Sequence, residues 1–344
     1  MNPMKRLPMN DLIAFSKKLF LKRGVSEQDA DFLAELIVET EAFRRSTHGI
    51  VQLRGSLADG LDVSGSVETI RDHGASAVVN GHKRITNLVI RRLAELAAAK
   101  AREFGIAAVF GVRMGWSGAL GSQLIGLARD GLVVQAFAQS NKSKCCAPFG
   151  GRDPRLGNGP MAIAFPAGEQ PMMADFTAGA MSMGRVKEYI AEGRQTEAPR
   201  FIDKAGEMSC DPQVLRDGGA MLFSGGDIEG HKGYAFLLLF EALAVLAGGM
   251  ANNPDHPESH GTFGIIALDP ESFAGREYYD REMKRFVEHL KSSRTRPGFP
   301  EVHLPGERGF ARLADARANG VPLSDDKLDI LRQLAERFDV PLPE

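Results

Sequence analysis

Two apolar runs, Ile106-Ala107-Ala108-Val109-Phe110-Gly111-Val112 and Leu132-Val133-Val134-Gln135-Ala136-Phe137-Ala138, predict two buried strands of one sheet. Between them, leucines at helical spacing over residues 120–127 predict a helix. An amphipathic pattern over residues 89–97 precedes the first run, and Gly105 is placed to end that helix in a left-handed conformation. Strand and helix patterns that alternate in this way are typical of a sheet with helices packed on it.

Further patterns extend the alternation on both sides. Three more strands are predicted, at residues 77–80, 161–165 and 172–176. Near the amino terminus, Ser26 is placed to cap a helix whose apolar positions recur up to residue 43 and which runs on to Arg44-Arg45. At the other end of the chain, helices are predicted over residues 282–292, 308–319 and 325–338.

The two ends of the chain therefore show helical patterns, whereas the middle shows the alternation. We predict one helical domain built from both termini, residues 1–74 and 290–344. An α/β domain, residues 75–289, is inserted between these two parts.

Composition and charge exclude several classes of protein. The 344 residues carry 42 basic and 44 acidic side chains, and no basic stripe typical of a nucleic-acid-binding protein is present. The longest apolar stretch, residues 234–250, contains Glu241 and falls short of the roughly 20 apolar residues that a membrane helix needs. Residues 1–23 lack the apolar segment of a secretory signal. We expect a cytoplasmic protein with neither nucleic-acid nor membrane partners.

Two glycine-rich segments are candidates for phosphate binding. Gly157-Asn158-Gly159-Pro160-Met161-Ala162 matches the G-x-G-x-x-G/A pattern, but a predicted strand follows it, whereas a dinucleotide fingerprint opens a helix. A tight turn is therefore the preferred interpretation. The segment over residues 225–234 leads into an apolar helix from Ala235, with Lys232 near the start of the helix. Such a loop is suited to hold an anion, and a flexible loop with a solvated lysine is the alternative.

Histidines and cysteines supply few other candidates. His48 follows the predicted amino-terminal helix and precedes a glycine, where side chains commonly point into a cleft. His256 and His260 flank Pro257, which breaks helical i,i+4 geometry, so no metal site is predicted. The adjacent Cys145-Cys146 are predicted to be buried small apolar residues whose side chains diverge.

Seven short motifs follow one another in a specific order and spacing. They are Ser46-Thr47-His48-Gly49, Ala147-Pro148-Phe149-Gly150-Gly151, Pro154-Arg155-Leu156-Gly157, Pro160-Met161-Ala162-Ile163-Ala164-Phe165-Pro166, Asp211-Pro212, Gly230-His231-Lys232-Gly233-Tyr234 and Leu304-Pro305-Gly306-Glu307-Arg308. Together they resemble the malate/L-lactate dehydrogenase family of the non-Rossmann type, which includes ureidoglycolate dehydrogenase, diketogulonate reductase and cyclic imino acid reductases. The resemblance covers nearly the whole chain.

The resemblance implies an α/β fold with a non-Rossmann, nicotinamide-binding mixed sheet, and it implies a homodimer. It implies hydride transfer between NAD or NADP and a 2-oxo or 2-hydroxy acid or a cyclic 2-imino acid. His48 matches a histidine proposed to exchange a proton with the substrate, which is a role that suits an imidazolium beside a developing alkoxide. By position, the cofactor is expected to contact Ser140, Asp175, Phe176, Thr177, His231, Lys232, Pro305, Gly306 and Glu307.

Several positions depart from the family pattern. Gln52 stands where the family has an arginine four residues after the histidine, so the charge that would clamp a carboxylate is lost. Trp116 stands at a second family histidine, and an indole cannot relay a proton because its N–H is only a donor. We expect a remodelled substrate pocket formed by Thr47, Gln52, Trp116 and Asn158, suited to a bulkier or less anionic small molecule.

The predicted function is that of an NAD(P)-dependent oxidoreductase with His48 as the proton donor. The alternative is a non-catalytic or regulatory dimer that retains the fold and has lost the chemistry. Gln52 and Trp116 favour the alternative, whereas His48 and residues 230–234 favour an enzyme. Binding of NADH or NADPH distinguishes the two hypotheses.

Overall fold

A computed structural model describes residues 4–43, 47–253 and 255–343 of the chain. Arg44 and Arg45, at which the first predicted helix ends, and Ser46 of the first family motif lie outside the described residues.

The predicted helices are all present, with ends that differ by up to nine residues. The described residues form ten α-helices: α1 (Met9–Lys22), α2 (Glu27–Ala42), α3 (Gln52–Ser56), α4 (Thr86–Phe104), α5 (Leu120–Arg129), α6 (Met183–Ala191), α7 (Gly226–Leu246), α8 (Arg276–Lys291), α9 (Glu307–Asn319) and α10 (Asp325–Phe338). Ser26 caps α2 by accepting a hydrogen bond from the backbone N–H of Asp29. Gly105 ends α4 with a φ of 79°, as its position in the sequence predicts.

The strands form one large sheet and two small ones. Those of the described residues are β1 (Lys5–Leu7), β2 (Glu68–His73), β3 (Ser76–Asn80), β4 (Ile106–Met114), β5 (Val133–Ser140), β6 (Pro160–Phe165), β7 (Met172–Thr177), β8 (Phe201–Ile202), β9 (Met208–Ser209), β10 (Ala220–Met221), β11 (Gly261–Leu268) and β12 (Val321–Leu323). The large sheet has seven strands in the order β2-β3-β4-β11-β5-β6-β7.

The large sheet is mixed, which confirms the predicted fold class. Strands β3 and β4 are parallel and are joined by α4, whereas all other neighbouring pairs are antiparallel. Helix α5 connects β4 to β5, and these two strands are parallel to each other because both run antiparallel to β11. The alternation of strands and helices was therefore predicted correctly, but not the strand between β4 and β5.

Strand β11 has no counterpart among the predicted strands, yet it lies at the centre of the sheet. It contains Gly261 and Gly264, and glycine lowers the preference of a sequence for strand structure. Gly264 is needed where it stands, since a Cβ there would lie 2.3 Å from the ring of Phe137 and 2.8 Å from that of Phe110. Only the assembled sheet shows why these glycines belong to a strand.

The two ends of the chain pack together as one helical layer. Strand β1 pairs with β12, α1 contacts α10, and α2 contacts α9. The boundary predicted at residue 74 follows β2, but β2 pairs with β3, so the sheet begins earlier in the chain than that boundary. Across the described residues, no helix has the length and apolar character needed to span a membrane.

The position of Phe263, fully buried in the middle of β11, predicts a large effect of its removal. We expect Phe263→Ala to lower the free energy of unfolding by about 3–5 kcal/mol, because it removes apolar contacts and leaves a cavity. Urea denaturation followed by circular dichroism measures this loss. Phe104→Ala at the half-exposed end of α4 is the control, and equal losses for the two variants would contradict the assignment of β11 to the core.

Candidate active site

Four of the predicted site residues lie at one edge of the large sheet. Ser140 ends β5 in register with Gly261, which begins β11, and Thr177 ends β7 in register with the first residue of β6. Trp116 follows the end of β4 by two residues, and Asn158 precedes β6 by two. We call this edge, at which β4, β5 and β7 end, the site edge.

His48 lies in a turn over residues 47–50, and its ring contacts the site edge. The centroid of the imidazole is 5.4 Å from that of the Trp116 indole. The Nδ1 atom lies 2.7 Å from the hydroxyl of Thr47. Thr47 in turn packs against α6, where a Cβ on Gly184 would lie 2.5 Å from the threonine Cβ. The half-buried imidazole is therefore oriented by a hydroxyl and by an aromatic ring.

Trp116 lies on the loop between β4 and α5 with 52% of its surface exposed. The indole therefore lines an open surface beside His48. A cavity of about 830 Å³ does exist between β1 and α9, but it is lined by residues such as Arg6 and Arg317 and contains none of the predicted site residues. His48 therefore lies at the site edge and not in that cavity.

Gln52 is buried beneath the loop that carries Trp116. Only 4% of its surface is exposed, and its Oε1 accepts a hydrogen bond of 3.2 Å from Asn87, whose own Oδ1 accepts one of 3.2 Å from Gln123. A Cβ on Gly118 would lie 1.5 Å from Nε2 of Gln52, so the loop that carries Trp116 rests directly on this amide. The direct substrate contact predicted for Gln52 is replaced by support of the loop.

Asp175, in the middle of β7, is already engaged by a neighbouring helix. Its Oδ2 accepts a hydrogen bond of 3.0 Å from the backbone N–H of Gly121, in the first turn of α5. A carboxylate in this position is stabilised by the helix dipole and satisfies an N–H group that has no partner within the helix. The contact ties β7 to the helix that follows the Trp116 loop.

The segments around Asn158 and Thr177 are joined by backbone hydrogen bonds. Gly179 N–H donates to the carbonyl of Asn158 at 2.9 Å, and the Thr177 hydroxyl donates to the carbonyl of Gly179 at 3.0 Å. Phe176 presents 45% of its surface to solvent. The glycine-rich segment that contains Asn158 leads into strand β6, as predicted, so it does not form a dinucleotide fingerprint.

The second glycine-rich segment differs from its prediction. Helix α7 begins at Gly226, directly after Gly225 with its φ of 103°, so Lys232 lies in the second turn of a helix and not in a loop. The first turn carries Asp227 and Glu229, which already complement the helix dipole. An anion held by the free N–H groups of this helix start is therefore disfavoured.

His231 and Lys232 are nevertheless close to the site edge, because α7 packs tightly against it. A Cβ on Gly233 would lie 2.7 Å from the carbonyl oxygen of Ala178. The His231 ring lies 5.5 Å from that of Phe149 in an edge-to-face arrangement, and Lys232 forms an exposed ion pair with Glu229. Glycine at residue 233 is what lets the helix come this near.

The predicted cofactor residues Pro305, Gly306 and Glu307 lie at the opposite end of β7. The carbonyl of Pro305 accepts a hydrogen bond of 3.1 Å from the N–H of Met173, four residues before Thr177 or roughly 13 Å along a strand. Glu307 accepts hydrogen bonds of 2.8 Å from both Lys291 and Leu304 N–H. Burial opposes ionisation of Glu307, but these contacts outweigh it and lower its pKa.

Other candidate residues have structural partners. The Ser140 carbonyl accepts a hydrogen bond of 3.3 Å from the amide of Asn252. His260 hydrogen-bonds to Glu258, and its ring lies 5.8 Å from that of His256. Cys145 and Cys146 are buried, as predicted, although their Sγ atoms lie 3.9 Å apart and do not diverge.

The sequence analysis did not predict that the side-chain amides of Gln52, Asn87 and Gln123 hydrogen-bond to one another beneath the Trp116 loop. Asn87 is only 2% exposed and lies one helical turn before the buried Ile90 on α4. A polar residue in line with an apolar helix face is the signal that could have found it, because a buried amide needs a partner.

Comparisons with known proteins show the family of the chain. The family model for malate/L-lactate dehydrogenase matches residues 7–332. The chain is 27% identical to a malate dehydrogenase of Pyrococcus horikoshii, over 97% of this chain and 96% of that one. It is 29% identical to a Delta(1)-pyrroline-2-carboxylate/Delta(1)-piperideine-2-carboxylate reductase of Pseudomonas syringae pv. tomato, over 97% of each chain.

Solved structures show the same fold. The malate dehydrogenase of Pyrococcus horikoshii matches with a TM-score of 0.86 at 25% identity and covers 99% of this chain and 97% of its own. The delta1-piperideine-2-carboxylate reductase of Pseudomonas syringae matches with a TM-score of 0.79 at 27% identity, over 96% of this chain and 100% of its own. The chain belongs to the malate/L-lactate dehydrogenase family and is therefore an oxidoreductase by family.

Proposed function

We propose that this protein is an NAD(P)-dependent oxidoreductase. It transfers a hydride between the nicotinamide cofactor and a 2-oxo or 2-hydroxy acid or a cyclic 2-imino acid, with His48 as the proton donor. The observation that supports this most is the contact between His48 and the half-exposed Trp116 at the site edge, in a chain of this family.

The residues at the site edge fit a dinucleotide in part. Lys232 is 67% exposed, and an exposed ion pair such as that with Glu229 contributes little, so its ammonium can turn to a phosphate at small cost. His231 and Phe176 offer exposed rings against which the cofactor can pack. Asp175 and Glu307 fit less well, because their carboxylates are engaged by Gly121 and Lys291.

The hydride chemistry is supplied by the cofactor when it is bound. The protein supplies the proton. When a hydride is added to a carbonyl or imine carbon, the oxygen or nitrogen of that group takes up a proton. An imidazolium gives up a proton near neutral pH, and the contact of Thr47 with Nδ1 holds the His48 ring in place. Trp116 cannot substitute for the second histidine of the family in this role.

The substrate is expected to be less anionic or bulkier than lactate. Gln52 carries no charge and is buried, so it cannot clamp a carboxylate as an arginine would. The exposed face of Trp116 is suited to pack against a planar ring. Among the relatives are enzymes named for malate, for sulfolactate and for cyclic imino acids, and the indole favours the cyclic imino acids.

The proposed function is tested on the purified protein with NADH and NADPH, first by fluorescence titration and then by turnover with cyclic 2-imino acids, pyruvate and oxaloacetate. We expect His48→Ala to lower turnover by about 10²–10⁴-fold and to leave cofactor affinity nearly unchanged. His82→Ala, an exposed histidine before α4, is the matched control.

Wild-type turnover in His48→Ala would contradict its role as proton donor. Efficient reduction of pyruvate or oxaloacetate by the unmutated protein would contradict the remodelled pocket. Absence of binding by either cofactor would favour the non-catalytic dimer.

The contribution of α7 to cofactor binding is tested separately. We expect Lys232→Ala to weaken binding of the dinucleotide by about 1–3 kcal/mol, because a charge-assisted hydrogen bond to a phosphate is lost. Calorimetric titration measures this change. Lys187→Ala, an exposed lysine on α6, is the control, and equal affinities in the two variants would remove Lys232 from the cofactor site.

We also propose that the protein acts as a homodimer. Helix α7 exposes large apolar side chains along its length, namely Ile228, Phe236, Leu238, Leu239, Val245 and Leu246. None of the residues of α8 is buried, although the helix carries Tyr278 and Phe286. Extended apolar surface of this kind is typical of protein interfaces. Sedimentation at micromolar concentration is expected to give twice the mass of 37.3 kDa, and a monomer would contradict the proposal.

The cytoplasm is the compartment that we propose, because Cys145 and Cys146 are free thiols of the kind that persist in reducing surroundings. Subcellular fractionation checks this assignment, and recovery in a secreted or membrane fraction would contradict it.

A further inference from the structure

The turn that carries His48 is anchored by a buried carboxylate. Glu41 lies in the last turn of α2, and only 2% of its side chain is exposed. Its Oε2 accepts a hydrogen bond of 3.0 Å from the backbone N–H of Ile50, two residues after His48. The other oxygen, Oε1, contacts the ammonium of Lys327 on α10, whose side chain is 7% exposed.

The turn also lies directly on the backbone of α2. A Cβ on Gly49 would lie 2.7 Å from both Cα and Cβ of Glu41 and 2.3 Å from its carboxylate. Any side chain at residue 49 would therefore push the turn away from the helix. The contact with Ile50 and the close approach of Gly49 fix the two residues that follow His48.

The cation favours the charged form of the buried carboxylate. Burial raises the pKa of Glu41, and the ammonium of Lys327 and the N–H of Ile50 both oppose that rise. Removal of one partner from a buried ion pair leaves an uncompensated charge, whereas removal of both charges is far better tolerated. Helix α10, near the carboxyl terminus, is thereby linked to the His48 turn through a single side chain.

We propose that Glu41 and Lys327 are a positioning pair, in which the Glu41 carboxylate holds the His48 turn in place and Lys327 compensates the charge of that buried carboxylate. This inference rests on the proposed function of His48. The linkage runs from Lys327 on α10 to the Glu41 carboxylate, then to the Ile50 N–H and so to the imidazole. Neither residue touches the substrate, but a displacement of about 1 Å in a reacting group can cost about 10²-fold in rate.

The decisive comparison uses two double variants that differ only in the acceptor offered to Ile50. Glu41→Gln with Lys327→Met removes both charges and keeps an oxygen for the Ile50 N–H. Glu41→Leu with Lys327→Met removes both charges and that oxygen as well. We expect the glutamine variant to keep kcat near the wild-type value and the leucine variant to lose about 10–100-fold, with KM and cofactor affinity little changed in either.

Two further measurements separate positioning from general stability. Hydrogen exchange of the Ile50 amide is expected to be faster in the leucine variant than in the glutamine variant. Asp29→Asn breaks another partly buried ion pair, with Arg91, at the opposite end of α2 and is the matched control. We expect it to lower stability without a change in kcat or in Ile50 exchange.

The outcomes distinguish this inference from the proposed function. Equal kcat in the two double variants, with His48→Ala strongly impaired, would overturn the positioning pair and leave the proposed function intact. Wild-type turnover in His48→Ala would overturn both. A leucine variant with low kcat and fast Ile50 exchange, set against a glutamine variant with neither, supports the positioning pair.

Discussion

Strand β11 is held between β4 and β5 by antiparallel hydrogen bonds on both of its sides, and this placement fixes the arrangement of the site. Its first residue, Gly261, is in register with Met114 at the end of β4 and with Ser140 at the end of β5. The loops that leave these strands therefore emerge at one edge. Without the inserted strand, β4 and β5 would not be held apart, and the spacing between the Trp116 loop and the segments around Asn158 and Thr177 would change.

The polar groups beneath the Trp116 loop are neutral amides that hydrogen-bond to one another. The buried Gln52 and Asn87 and the half-buried Gln123 form one chain of hydrogen bonds beneath the Trp116 loop. A buried amide that loses its partner costs more than its hydrogen bond contributes, so Gln52 is held in place and does not swing towards a ligand. Gln52 therefore gives the loop that carries Trp116 a fixed, uncharged support.

Segments from different parts of the chain come together at the site edge. The His48 turn comes from the amino-terminal part, α6 contacts Thr47, and α7 reaches the end of β7 through the contact of Gly233 with Ala178. Three of these close contacts require glycine, at residues 49, 184 and 233. In each case a Cβ would collide with the backbone or with a neighbouring side chain. The glycine content of the sequence is explained in part by these contacts.

Local patterns were sufficient for seven of the ten helices of the described residues, for the alternation of strands and helices and for the α/β class, because periodicity and capping depend on neighbouring residues only. Helices α1, α3 and α6 were not predicted. The order and spacing of the seven short motifs were sufficient for the family. Other features depend on residues far apart in the chain. The place of β11 and the burial of Gln52 depend on contacts with Phe137 and Gly118, and the position of α7 against the end of β7 depends on the contact of Gly233 with Ala178. The anchoring of the His48 turn by Glu41 and Lys327 joins residues 286 positions apart, and only the folded chain brings such groups together.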